Sequence, residues 1–158
     1  MIAGASSISA PSKRLYIILF AIGFVSYAFY AIGLNTIAKR EEKPPFFLAW
    51  IPYLNNYALG KIAFHSNMHA FIMTALSVLA LIFSMATLFV RADFSMIFSL
   101  ALSSFLFSAT SAVYNFIAHY KVYDRYSKST ILMTILDVIS FGILGPFFIF
   151  AIRNNEEK

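Results

Sequence analysis

TILMTILDVISFGILGPFFIFAI, residues 130–152, is the stretch on which the reading of this chain turns. Its 23 residues are long enough to cross a hydrocarbon core of ~30 Å as one helix at 1.5 Å per residue. Yet it carries Asp137, the one carboxylate of the chain that stands inside a long apolar run. The other six acids (Glu41, Glu42, Asp93, Asp124, Glu156 and Glu157) fall in charged breaks or near the C-terminus. An ionisable group at membrane depth is costly, so it has either a partner or a task. Gly142, Gly145 and Pro146 follow within nine residues, and proline removes a backbone donor and crowds the preceding turn. A kink within a continuous fourth span is therefore predicted.

Working outward, the rest of the chain has the same character. Of its 158 residues 60% are hydrophobic and 12% charged, with a mean hydropathy of +0.76. A soluble domain carries about 25% charged residues, so there is too little charge here to solvate a globular surface. Three further runs, 15–38, 68–90 and 95–118, match 130–152 in length. The fold class expected is all-α integral membrane: one domain over residues 1–158, a compact four-helix bundle of transmembrane helices. The break at 91–94 is so short that the second and third spans must form a tight helical hairpin. The first apolar run follows Lys13 and Arg14 but exceeds a signal-peptide core in length, so it reads as a retained span.

Small and polar residues recur along each run at helical spacing. The third has Ser104, Ser108, Ser111 and Asn115; the fourth has Thr130, Thr134, Asp137 and Ser140. Such stripes let helix backbones come close and supply hydrogen bonds across the contact, which a bundle needs and a water-lined path also needs. The net charge is +5, but the twelve Lys and Arg lie beside apolar runs, where lipid headgroups meet them, and no basic stripe suggests nucleic acid. The chain has no cysteine, which removes disulfides, thiol nucleophiles and iron–sulfur clusters.

The break at 39–67 contains FFLAWIPYLNNYALGKIAF, residues 46–64, an aromatic run broken by Pro52 and by Asn55–Asn56. Trp50 and Tyr53 suit a headgroup boundary, so an interfacial amphipathic helix is expected, with a re-entrant loop as the alternative. Trp50, Pro52, Tyr53 and Asn55 are the candidates for contact with a partner. TIAKR at 36–40, LAWIP at 48–52, Asn55 and LGKIA at 59–63 together resemble the signature of a family of small bacterial membrane proteins, chiefly from Firmicutes. The resemblance covers residues 36–63 and departs from the pattern at Glu41–Glu42 and at the double proline 44–45. It implies a span followed by a cytoplasmic-side interfacial module in a bacterial cytoplasmic membrane, and no activity.

With four spans, the loops 39–67 and 119–129 share one side and carry seven cations against five on the other. Positive-inside asymmetry then makes that side cytoplasmic and leaves both termini outside. Alternation of the spans also brings Asn35, Asn115 and Asp137 to the loop side, together with His65, His69 and His119. A polar pocket around Asp137, Asn115, Asn35, Ser111, Thr134 and Ser140 is expected. His65 and His69 have a spacing that a helix can use for a metal, without a carboxylate or cysteine near them in sequence. No cofactor is implied.

No nucleophile elbow, zinc-protease motif, phosphate loop or second intramembrane acid is present, so an enzyme is not expected. Two functions remain. One is a non-enzymatic accessory or binding subunit that engages another membrane protein or a membrane-active peptide. The other is an oligomeric proton or small-ion transporter in which Asp137 titrates.

Overall fold

The apolar runs fold into helices, and three of these are long and apolar enough to cross a membrane. The computed structural model describes residues 10–43, 45–89 and 93–157, which contain helices and no strand. Half of the expected break at 91–94 (residues 91 and 92), and Val90 before it, lie outside the described residues. The long helices are α1 (Ala10–Arg40), α3 (Asn67–Phe89) and α4 (Phe94–Tyr126). Helices α3 and α4 pack along their lengths as the expected hairpin: Ser77 Oγ meets Ser111 Oγ at 2.8 Å, Ser104 Oγ donates to the Ala80 carbonyl, and Phe83 stacks on Phe107. The serine stripe is thus used at Ser104 and Ser111, while Ser108 is exposed.

The fourth span expected over 130–152 is not one helix. It is α5 (Thr130–Ile139) and α6 (Gly145–Ile152), and the chain reverses between them. Phe141 and Gly142 both take left-handed backbone angles, with φ of 53° and 83°. The turn closes through Gly142 N–H to the Asp137 carbonyl at 2.8 Å and through Ser140, whose hydroxyl donates to the Asp137 carbonyl and accepts from Leu144 N–H. Two successive left-handed residues fold a helix back on itself, whereas the predicted proline kink only bends it. Pro146 instead sits in the first turn of α6, where its missing donor is harmless.

Hydrogen bonds at the outer ends of the two limbs fix their direction. The Thr130 hydroxyl donates to the Tyr123 carbonyl, while the Asn155 amide donates to the Tyr126 carbonyl at 2.8 Å, so both limbs end beside the C-terminal end of α4. The limbs form a wedge, α5 against α4 and α6 against α1. At 10 and 8 residues they reach only about 15 and 12 Å. Phe29 meets Phe147 and Phe150, and Gly33 lies so close to Ile149 that an added Cβ would stand 2.9 Å from its Cγ2.

A second half-length element precedes α3. A short 3-10 helix (Phe46–Trp50) packs on α1, Tyr53 turns with φ of 65°, and α2 (Asn55–Phe64) runs back along α3. Gly60 touches Ala70, and the Asn56 amide donates to Ser77 Oγ, ten residues along α3 from Asn67. The start of α2 therefore lies about 15 Å inward from the start of α3. Asn55, Ala58, Leu59, Gly60, Ile62 and Ala63 are buried, so α2 is an internal helix rather than a two-faced one. Trp50, Tyr53 and Phe47 form an exposed aromatic rim beside it.

Both half-length helices therefore end at the same end of the molecule, and arginines meet their C-terminal carbonyls. Arg125 donates to the Ala63 carbonyl at 2.7 Å, and Arg40 donates to those of Arg153 and Asn155. A cation at a helix C-terminus is favourable because the macrodipole is negative there. Glu41 joins these parts, accepting from Lys43 and the Tyr126 hydroxyl and lying 3.7 Å from Arg125.

Candidate functional site

At the inner face of the wedge the chain places a buried polar relay. Tyr30 on α1, His119 and Tyr123 on α4, and Asp137 on α5 meet there. His119 Nδ1 lies 2.8 Å from Asp137 Oδ2, the Tyr123 hydroxyl donates to the same oxygen at 3.1 Å, and His119 Nε2 lies 3.2 Å from the Tyr30 hydroxyl. Asp137 is 1% exposed. His119 is seven residues inward from Tyr126, and Asp137 is seven inward from Thr130, so the relay stands about 10 Å from the loop end.

The geometry of the relay accommodates two hydrogen-bonding patterns that differ by one proton. With the carboxylate charged and the imidazole neutral, Nδ1–H donates to Asp137 and Nε2 accepts from the Tyr30 hydroxyl. With a further proton the imidazolium donates from both nitrogens, and Tyr30 turns to accept at its oxygen. Asp137 fixes which nitrogen of the neutral ring is protonated and leaves Nε2 to accept from the Tyr30 hydroxyl.

Outward is a cavity of about 300 Å³ lined by Tyr30, Asn56, Asn115, His119, Gly142 and Pro146, with Ala112, Phe116 and Phe141 as its apolar wall. Asp137 does not line it; the carboxyl stands behind His119. The N-terminal ends of α2 and α6 both reach this cavity, through Asn56 and Pro146. Gly145 is beside Asp137 for a steric reason: a Cβ there would stand 2.8 Å from Asp137 Oδ1 and 2.8 Å from His119 Cε1. The start of α6, where backbone partial charge is positive, is thereby brought against the carboxyl. Among the described residues Asp137 Oδ1 and the Tyr27 hydroxyl are the buried side-chain polar atoms without a hydrogen-bond partner.

Of the residues expected around Asp137, Asn115 lines the cavity and donates to the Ser111 carbonyl at 2.9 Å. Ser111 pairs with Ser77 instead of the acid, Ser140 closes the hairpin turn, and Thr134 bonds back to the Thr130 carbonyl. Asn35 is elsewhere: it lines a separate groove with Lys39, Phe46 and Trp50. Asn55 is buried at the start of α2, while Trp50, Pro52 and Tyr53 are exposed.

The metal-capable spacing of His65 and His69 is not used as one. His65 takes the left-handed position that ends α2, with φ of 52°, and stands outside both helices. His69 belongs to α3, hydrogen-bonds the Tyr114 hydroxyl at 2.8 Å and stacks on Phe64. No group of three or more His, Cys, Asp or Glu able to hold a metal exists among the described residues.

Tyr30 and Tyr123 are the members that sequence reasoning missed. A signal for Tyr123 was present: Asn115, His119 and Tyr123 stand four apart, on one face of a helix that continues past Ala118. No protein-family model matches the chain, and neither a curated protein nor a solved structure shows significant similarity to it.

Proposed function

We propose that this chain is a multi-pass membrane protein that handles protons or a small polar solute at the pocket between its two half-length helices. His119 is the pocket-facing proton acceptor and Asp137 the carboxylate that holds it. The observation that carries this reading is a carboxyl 1% exposed and hydrogen-bonded to a histidine that itself lines a cavity. A purely structural acid needs no such opening. Half-helices whose N-termini meet at a polar site at membrane depth are the means by which transporters bind polar cargo in lipid. In this reading α1, α3 and α4 cross the bilayer, and the segment 46–64 and the wedge 130–152 both re-enter from the loop side. Eight of the twelve Lys and Arg lie at that end (Lys39, Arg40, Lys43, Lys61, Lys121, Arg125, Lys128 and Arg153), a majority that favours it as the cytoplasmic face by positive-inside asymmetry. The segment 36–63, where the resemblance to the bacterial family falls, forms the end of α1 and the first re-entrant unit.

The test is proton uptake into proteoliposomes under an imposed potential, followed with an entrapped pH dye. Wild-type protein raises uptake above empty vesicles, and Asp137→Asn and His119→Gln abolish the increment. Wild-type uptake equal to empty vesicles, or full uptake by Asp137→Asn, would overturn the proposal.

A second reading, an accessory subunit, is favoured by the first half of α1. Leu15 to Val25 is exposed throughout, with Phe20 at 77%, and so is free to meet lipid, a partner helix or a second copy. Cross-linking from Phe20→Cys in native membranes decides this: a single adduct of defined mass supports a partner, and no adduct removes it.

A further inference from the structure

A cavity larger than the one at the relay lies on the outside of the wedge. Its volume is about 610 Å³, and it runs between the outer face of α4 and α5. Its upper part is polar: Asp124, Lys128, Ser129 and the Tyr120 ring with its hydroxyl. Its lower part is formed by Ile131, Leu132 and Ile135, which continue into the exposed apolar belt of α5 and its tip. Asp124 and Lys128 are both exposed, and neither forms a salt bridge within the described residues. An acid and a base thus stand at one mouth without neutralising each other, directly above an apolar wall.

We propose that this groove is a binding site for a phospholipid with a primary-amine headgroup, phosphatidylethanolamine being the simplest. The inference rests on the membrane placement above but not on proton transport. The Lys128 ammonium pairs with the lipid phosphate, and the Asp124 carboxylate accepts from the lipid ammonium. One acyl chain lies along Ile131, Leu132 and Ile135. The charge pattern selects among headgroups. Phosphatidylcholine keeps both charges but has no N–H to donate to Asp124. Phosphatidylglycerol has no cation, so it leaves Asp124 unpaired beside an added negative charge. The position matches as well: Lys128 and Ser129 follow the end of α4, at the level where the positive-inside end meets headgroups. A lipid seated here also covers the outer face of the helix that carries Asp137.

The experiment is native mass spectrometry of the full chain released from vesicles containing phosphatidylethanolamine, phosphatidylcholine and phosphatidylglycerol in equal amounts. Exposed charge contacts contribute modestly, so phosphatidylethanolamine is expected to be retained about fivefold over phosphatidylcholine, with phosphatidylglycerol lowest. Asp124→Asn erases the preference, Lys128→Ala lowers retention of all three lipids, and Lys128→Arg restores it. The variants are on the surface, and unchanged elution and helicity confirm that they fold. Equal retention of the three lipids by the wild type, a preference for phosphatidylglycerol, a preference surviving Asp124→Asn, or retention unchanged by Lys128→Ala would overturn the proposal. A protein that retains no lipid at all and stays soluble without detergent would instead overturn the membrane placement, along with this inference.

Discussion

Replacing His119 by leucine removes the Nδ1 donor that lies 2.8 Å from Asp137 Oδ2 and leaves the acid with the Tyr123 hydroxyl as its remaining side-chain partner. Asp137 Oδ1 already has no partner, and the Tyr30 hydroxyl loses its own. Two costs are then possible, and they differ in size. An ordinary side-chain hydrogen bond between membrane helices is worth on average about 0.6 kcal/mol, with a maximum near ~1.7. Stranding one member of a buried ionic pair costs about 3–5 kcal/mol, because the remaining charge is left unpaired in a low dielectric. Asp137 is 1% exposed and His119 is buried, so reading the two as an ionic pair predicts the second case. His119→Leu is expected to destabilise the protein by about 3–5 kcal/mol, while the double variant His119→Leu/Asp137→Leu, which strands no charge, recovers most of that. The coupling energy in the double-mutant cycle is therefore at least about 2 kcal/mol, above the limit for a plain hydrogen bond. Unfolding in mixed micelles by increasing the fraction of denaturing detergent, with helicity as signal, gives the four free energies. Additive losses, or a coupling below about 1 kcal/mol, would show that the two groups do not act as a buried ionic pair.

Gly60→Ala places a Cβ 2.6 Å from the Ala70 Cα, a backbone contact that no rotamer relieves; destabilisation of at least ~1–3 kcal/mol is expected in the same assay. Gly145→Ala pushes on Asp137 Oδ1 and His119 together, and is expected to reduce proton uptake more than a surface change of equal stability cost does. Phe141→Gly removes a left-handed non-glycine residue from the hairpin turn, and because the Phe141 side chain is 91% exposed little packing is lost; stability is expected to rise by up to about 1 kcal/mol. His65 is held below the ordinary histidine range by burial first and then by the nearby Arg125 and Lys43 charges. The folded chain therefore favours its neutral form: its contribution is complete above the ordinary pKa of ~6.5 and is lost as pH falls through the lower folded value. His65→Asn, which tolerates the left-handed backbone, is expected to flatten the fall in stability between about pH 7 and 5, measured against wild type.

What the sequence made legible follows from periodicity and length. The three long helices and the α3–α4 hairpin were readable because each run exceeds the bilayer thickness and the serines repeat at helical spacing. The wedge was not, because a 23-residue apolar run has the same composition whether it crosses once or enters and returns. The local cue is Ser140–Phe141–Gly142, whose reversal depends on a left-handed phenylalanine that sequence gives no reason to expect. The helix α4 was read as ending at Ala118 because His119, Lys121 and Asp124 are polar. Yet α4 continues to Tyr126, with His119 and Tyr123 turned inward.

The rotation of α1 decided which of its polar residues joins Asp137. Tyr30 and Asn35 are five residues apart, about 140° around a helix, so only one of them can face the relay. Depth along a chain is visible in sequence, and azimuth depends on the neighbours. For the same reason Asp137 was identified as the residue to explain, whereas its partners required the fold.

The whole account rests on the wedge returning to its own side, which single-cysteine labelling tests directly. The chain has no cysteine of its own, so Lys128→Cys and Asn154→Cys report cleanly on sidedness in sealed right-side-out vesicles treated with an impermeant maleimide. The wedge predicts that both sites behave alike, protected from outside and labelled once the vesicles are opened. If Asn154→Cys labels from the outside while Lys128→Cys stays protected, residues 130–152 cross the bilayer once, and the wedge that carries Asp137 does not exist.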